Sequence, residues 1–181
     1  MSTDILILKG SPRKNGNSNA LADAFIEGVA ETGRNYTVIR AADMKVSGCL
    51  GCEYCFRDDT KGICIQKDDM SEIIDKYRDA KILVFAMPVY YWTVPAQLKS
   101  IIDRTYALAL VGMPKKEIIL LMTCEDSSEG NTEPIIGMFR HYMAHYDWTE
   151  RAIITARKVN QPGDIIGRPE LEEARNLGKS L

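Results

Sequence analysis

Short apolar runs recur along the chain, and between them the apolar positions change to a helical spacing. Asp4-Ile-Leu-Ile-Leu8, Lys81 to Met87, Ile118 to Met122 and Ala152 to Thr155 are nearly continuous in apolar residues, as expected for strands covered on both faces. Tyr36 to Arg40 is a further β-rich run. Leu21, Ala24, Phe25, Gly28 and Val29 fall at i, i+3, i+4, i+7 and i+8, which predicts a helix that Gly33 can end. Met70, Ile73, Ile74 and Tyr77 mark a second helix behind Asp68-Asp69, whose charges suit a helix N-terminus. Leu98, Ile101, Ile102 and Thr105 mark a third, with Pro95 in its first turn. A fourth lies around Ile135 to Tyr146, and Pro169 to Lys179, opening with Pro and acids, is the last. Strand and helix thus alternate throughout, the pattern of a parallel α/β sheet with right-handed crossovers and helices on both faces.

In such a sheet the ligand crevice lies beyond the carboxyl ends of the strands, where the strand order reverses. That rule selects the loops Gly10 to Ser18, Met87 to Val94 and Thr123 to Gly130. The first offers glycines, hydroxyl and amide side chains, Arg13 and the N-terminus of the following helix, the parts of an anion cradle. It is not a nucleotide-triphosphate loop, because Asn17-Ser18 follows Gly16, and it lacks the G-x-G-x-x-G spacing of a dinucleotide fold. A phosphomonoester remains, and an ordinary polar turn would also fit. The second loop puts Tyr90, Tyr91 and Trp92 in a row, flat apolar faces that suit a planar conjugated ring or that merely cover a sheet end. Phosphate plus ring points to FMN.

Composition narrows the setting. The 181 residues fit one domain, read here as residues 1–181, and 45% of them are apolar and 27% charged. At this length roughly 70% of the unfolded chain's surface can be buried, so the core needs no disulfides. The net charge is −2 and no basic run exceeds Lys115-Lys116, which argues against nucleic acid as a partner. The longest apolar stretches are too short to span a bilayer, so no membrane partner is expected. Met-Ser-Thr-Asp at the start is no basic-then-apolar targeting segment, and the cytoplasm is the expected location. Five cysteines are an odd number, and four of them, Cys49, Cys52, Cys55 and Cys64, lie in the aperiodic stretch 41–67. Long loops of this kind are uncommon unless functional, and the cluster suits metal or redox chemistry better than a disulfide framework.

Gly10-Ser-Pro-Arg-Lys-Asn-Gly-Asn-Ser18, Cys49-Leu-Gly-Cys-Glu-Tyr-Cys with Gly62-Ile-Cys-Ile-Gln-Lys-Asp-Asp-Met70, and Pro88-Val-Tyr-Tyr-Trp with Lys99 and Asp103-Arg104 behind it occur in this order. Together they resemble the NAD(P)H-dependent FMN reductases of flavodoxin-like fold. The resemblance implies a three-layer sandwich with a five-stranded parallel sheet in the order 2-1-3-4-5. It implies that Ser11, Arg13, Asn17 and Ser18 bind the FMN phosphate, that Pro88, Val89, Tyr90, Tyr91 and Trp92 lie against the isoalloxazine and ribityl chain, and that Thr123 to Asp126 close the ring's other edge. It further implies NAD(P)H as co-substrate, a small-molecule acceptor or redox protein as electron acceptor, and a homodimer or higher homo-oligomer with flavin sites at the interface. The chemistry belongs to the cofactor, so no catalytic residue is named. Lys99, Asp103 and Arg104 also read as a plain helix surface with an i,i+4 ion pair.

The cysteine pattern resembles that of iron-sulfur flavoproteins, relatives of these reductases, in which a [4Fe–4S] cluster on Cys49, Cys52, Cys55 and Cys64 would relay electrons. The eight-residue gap before Cys64 and the Ile65 that follows it favour metal-free thiols, and zinc is a third reading. A non-catalytic redox sensor on the same fold is the alternative to an enzyme. Cys124 reads as a small buried filler. His141 and His145, four apart on a helix, lack the Glu of a metalloprotease motif and read as packing or interface residues.

Overall fold

The computed structural model describes residues 4–181, so the targeting-segment reading of Met1 to Thr3 lies outside the described residues. Strands β1 (Ile5–Lys9), β2 (Tyr36–Arg40), β3 (Ile82–Pro88), β4 (Glu117–Thr123) and β5 (Thr149–Ala156) alternate with helices α1 (Asn17–Ala30), α2 (Met70–Asp79), α3 (Ala96–Arg104), α4 (Glu133–Tyr146) and α5 (Pro169–Lys179). All neighbouring strands are parallel and the sheet order is β2-β1-β3-β4-β5, the flavodoxin-like order. The order reverses between β1 and β3, where Leu8 has Ile39 on one side and Phe85 on the other.

Because side chains alternate across a strand, the continuous apolar runs feed two cores at once. Leu6, Leu8, Leu83, Phe85, Leu120 and Met122 pack with Ile73 and Tyr77 of α2, Leu98 and Ile101 of α3, and Phe139 of α4. Ile5, Ile7, Val84, Ala86, Ile119 and Leu121 face the other way, against Leu21, Phe25 and Val29 of α1 and Ala174 of α5. The last strand starts three residues before the apolar run that predicts it. Thr149, Glu150 and Arg151 are exposed on this edge, where Glu150 pairs with Arg140 and Arg151 with Glu117. Charge on an edge strand discourages pairing with another chain, which is why hydrophobicity alone does not mark its start. Among the described residues, no helix is long and apolar enough to cross a membrane.

Lys116, just before β4, is buried with its ammonium on the carbonyls of Arg78 (2.6 Å) and Ala80 (2.5 Å) at the end of α2, over the Trp148 ring. Burial pulls it from the ordinary lysine value down to about 8. The unfolded chain therefore binds more protons than the native one above that value, and stability is expected to rise by about 2 kcal/mol between pH 8 and 10. Tyr77, Tyr142, Cys55 and Cys124, all pushed up by burial, keep their protons in the native state while the unfolded chain begins to lose them, so they act in the opposite sense and the Lys116 contribution is read by comparison with a variant. Denaturant unfolding of wild type and Lys116→Met checks this: whatever the two share cancels, and the difference in stability should move in favour of wild type by about 2 kcal/mol across the window.

Candidate functional site

β1 runs into Gly10, where a Cβ would stand 2.9 Å from a Leu98 side-chain carbon and 3.3 Å from Met87 Cβ, so glycine lets α3 sit close against the strand end. The chain then turns tightly. Ser11 Oγ accepts the Arg13 amide at 3.2 Å, the Gly16 amide donates to Arg13 O at 3.1 Å, and Asn19 Nδ2 donates to Arg13 O at 2.8 Å. Gly16, in extended conformation, precedes α1 without any side-chain cap. The Asn19 amide already donates to Gly16 O at 3.0 Å, which leaves the amides of Asn17 and Ser18 for a ligand, where the helix dipole favours an anion. Ser18 is 1% exposed and its Oγ is buried with no partner. A buried hydroxyl of this kind is under-satisfied unless something accepts or donates to it.

A cleft of about 190 Å³ is lined by Ser11, Arg13, Asn17, Ser18, Pro88, Val89, Tyr90 and Thr123. It adjoins a more open hollow of about 390 Å³ lined by Tyr91 and Trp92, the two sharing Val89, Cys124 and Glu125. The expected phosphate loop and the expected ring loop therefore meet at the strand-order reversal. Tyr90 and Thr93 exchange backbone hydrogen bonds at 3.0 Å, which closes a two-residue turn with Tyr91 (φ 50°) and Trp92 (φ 61°) both left-handed. Two bulky residues in that region are strained, at about 1–3 kcal/mol each, and such strain collects at functional sites. Tyr91 is nonetheless 89% exposed and Trp92 53%, the two rings meeting edge-on at 4.8 Å between centroids beside the open hollow.

Asn17 lines the cleft, but its side chain is engaged elsewhere. Its Nδ2 donates to Gln161 O at 2.9 Å and its Oδ1 accepts the Gly163 amide at 3.1 Å. It ties the segment after β5 to the start of α1. That segment is the part of the site that the selected loops omit: Val159, Asn160 and Pro162 complete the cleft, and Arg13 Nη1 donates to Asn160 O at 3.0 Å. The run Asn160-Gln-Pro-Gly163 at a strand's carboxyl end was its available signal. Cys124 is buried at the cleft wall, with Arg157 Nη1 3.8 Å from its sulfur. Burial pushes its thiol up although Arg157 pulls the other way, so it remains protonated. Arg157 also donates to Ser128 O (2.8 Å) and Thr132 Oγ1 (3.2 Å), shaping the loop after β4.

The four clustered cysteines lie apart from the cleft, whose described lining includes none of them. They are unpaired, Cys49 and Cys52 exposed, Cys55 and Cys64 half-buried. Among the described residues, no three His, Cys, Asp or Glu side chains converge on a metal position. The thiols are still electrostatic neighbours: burial pushes Cys55 up, and Cys64, Cys49 and Cys52 add to it. Asp68 and Asp69 stand at the N-terminus of α2, as expected, and also tie the cysteine loop down. Asp69 accepts the Lys45 amide (2.7 Å); Asp68 accepts the Ser47 amide (3.1 Å), the Met70 amide (3.2 Å) and a bidentate pair from Arg104. Burial raises the Asp68 carboxyl, but Arg104 and the backbone amides outweigh this and hold it below the usual range. Arg104 is 2% exposed, which corrects its reading as helix surface; Lys99 and Asp103 do form the expected half-exposed pair at 2.5 Å. His141 and His145 are exposed and border, with Cys49, Tyr142 and Tyr146, a groove along α3 and α4.

Known proteins resemble this chain in sequence and in fold. A protein of Methanocaldococcus jannaschii named as an iron-sulfur flavoprotein is 29% identical over 98% of this chain and 94% of its own length. One of Archaeoglobus fulgidus with the same name is 37% identical over 52% of this chain, which spans only 42% of that relative. Among solved structures, the NAD(P)H:quinone oxidoreductase from Methanothermobacter marburgensis superposes with a TM-score of 0.76 at 24% identity, covering 99% of this chain and 96% of that one. The NADPH-dependent FMN reductase profile matches residues 3–134, from β1 through the phosphate loop, the cysteine loop and the aromatic turn to the start of α4. By that match over most of its length, the chain belongs to the NADPH-dependent FMN reductase family and is an oxidoreductase.

Proposed function

We propose that the chain binds one FMN per subunit and passes reducing equivalents from NAD(P)H to a small-molecule or protein acceptor. The observation that carries this reading is the unpartnered, buried Ser18 hydroxyl at the uncapped start of α1, beside Ser11 and Arg13. A terminal phosphate satisfies all three: the hydroxyls and first-turn amides donate to it, and the guanidinium balances its charge. Thr123 and Cys124 would border the ring, and Tyr91 and Trp92 would cover its outer edge and exclude water. Bound FMN supplies hydride acceptance from the nicotinamide and electron release to the acceptor. No side chain is needed as acid or base, so Ser18, Arg13 and the aromatic turn act by holding and orienting.

For the cysteine loop we favour the cluster over metal-free thiols: Cys49, Cys52, Cys55 and Cys64 would hold a [4Fe–4S] cluster. The chain-length relative in Methanocaldococcus jannaschii carries the iron-sulfur flavoprotein name, and the four thiols are soft, unpaired neighbours on one loop. We further read the protein as a homodimer, on the strength of the exposed aromatic groove along α3 and α4, and as cytoplasmic, since its five cysteines are all free and such thiols persist in a reducing compartment. Anaerobic purification tests these points together. A yellow dimer that sustains NADH or NADPH oxidation with an artificial acceptor, and holds about four irons and four sulfides per subunit, is the expected result. A colourless protein that FMN cannot reconstitute would sink the flavin reading; flavin bands without iron after reconstitution, or zinc in its place, would sink the cluster reading.

A further inference from the structure

Arg104 is the last residue of α3 and the largest of the fully buried side chains, a charged group in a place where apolar residues are the rule. Its Nη1 donates to Ser47 O at 3.0 Å and to Asp68 Oδ2 at 2.8 Å, and its Nη2 donates to Asp68 Oδ1 at 3.1 Å. Residues 47 and 68 bracket the four cysteines, so one guanidinium closes the neck of the whole loop. Asp68 completes the closure by accepting the Ser47 amide.

The neck accounts for the two Nη atoms and leaves Nε over. That N–H is buried and has no partner. An unmet buried donor costs on the order of 1–3 kcal/mol, more for a charged group. Arg104 and Cys64 line the same cavity of about 400 Å³ between the loop and α2; Met70, Ile74, Leu108 and Val111 form its apolar wall, and of the cations on it, Lys61, Arg78 and Arg104, only Arg104 is buried. Cys64 is also close enough to Arg104 for the two groups to feel each other's charge. Cys49 and Cys52 are exposed and border no such cation in that cavity.

We propose that Arg104 is a positioning residue for Cys64, closing the loop through its Nη atoms and reserving its Nε–H for the Cys64 sulfur in its anionic, metal-bound form. This rests on reading the loop as the seat of the cluster. A hydrogen bond and a positive charge beside a ligating sulfur make the reduced cluster easier to reach. Of the four ligands, Cys64 is the one that shares a cavity with Arg104.

The test compares wild type with Arg104→Gln, Arg104→Lys and Asp68→Asn, each with its FMN per subunit measured to show that the flavin fold is intact. In Arg104→Gln the cluster's midpoint potential should move negative and iron loss to a chelator should quicken at least several-fold. Arg104→Lys, which keeps the charge but has no Nε–H, should fall between the two, and it serves if the Gln variant does not fold. Asp68→Asn should also lose iron faster but move the potential positive, since it removes a negative charge. A purely structural role for Arg104 would shift both variants the same way, and that result overturns the proposal, as do Arg104 variants indistinguishable from wild type. If wild type takes up no iron, the cluster reading has failed by itself. The positioning of Cys64 is then read from alkylation by iodoacetamide, with Cys52 as internal reference. A several-fold change confined to Cys64 in Arg104→Gln supports the contact, and equal rates refute it.

Discussion

The Ser18→Asp variant is expected to be isolated colourless, with FMN affinity reduced at least about 100-fold, or roughly 2.7 kcal/mol. Two effects add. The substitution removes the hydroxyl that is buried without a partner in the phosphate cradle, and a charge-assisted hydrogen bond is worth about 1.5–3 kcal/mol. It also sets a carboxylate where the phosphate would lie, and like charges brought together cost several kcal/mol more. The fold should not suffer. The start of α1 has neither a side-chain cap nor an acidic residue in its first turn, so the new carboxylate can accept the free amides and gain about 0.3–1 kcal/mol from the helix dipole. A flavin-free protein with a melting temperature at or above that of the flavin-free wild type is the signature. Ser18→Ala together with Arg13→Ala removes donors without adding charge, and should give a smaller loss. Stoichiometric yellow flavin in Ser18→Asp would mean that the loop does not hold a phosphate.

How much of this was legible in the sequence depends on which physical force sets each feature. The element order follows from periodicity, and α5 begins and ends at the residues its Pro and acids marked. The runs that are apolar on every position form the central strands β1, β3 and β4, because only a strand covered on both faces needs such a run. The edge strand β5 was legible only in its buried half. At the site, Gly10 to Ser18 and the aromatic run stood out because their residue types suit a phosphate and a planar ring, the ligands proposed for them, and the structure brings the two loops to one cleft. The segment after β5 did not, since Val159 and Pro162 contribute to the cleft by shape and Asn160 by its backbone carbonyl. Asn17 shows the converse: a polar side chain in a candidate loop whose amide serves the chain's own backbone. Arg104 was hidden for a different reason. Helical spacing places it beside the exposed Lys99–Asp103 pair, and only the folding back of Ser47 and Asp68 over α3 buries it.

Gly28→Val is expected to destabilise the protein by about 3 kcal/mol or more, at the upper end of what overpacking does. Helices α1 and α5 cross at Gly28 and Gly178 with their backbones in contact. A Cβ on Gly28 would stand 2.9 Å from Lys179 N and would overlap the Arg175 carbonyl, while a Cβ on Gly178 would stand 2.9 Å from Val29 N and would overlap the Phe25 carbonyl. The obstacles are main-chain atoms inside helices, so no rotamer change relieves them. The helices must separate, which opens the core of Phe25, Val29 and Ala174. For a chain of this size, 3 kcal/mol corresponds to a fall in melting temperature of about 6–12 °C. Gly28→Ala and Gly178→Ala should each cost less than the valine, and the double variant less than their sum, because separation forced by one methyl makes room for the other. Gly137 in α4 is the control: no atom lies within 4 Å of the position a Cβ would take. There alanine restricts the unfolded chain and favours the helix, and the expected result is a gain of about 0.5–1 kcal/mol. Equal melting temperatures for wild type and Gly28→Val would show that α1 and α5 do not meet backbone to backbone.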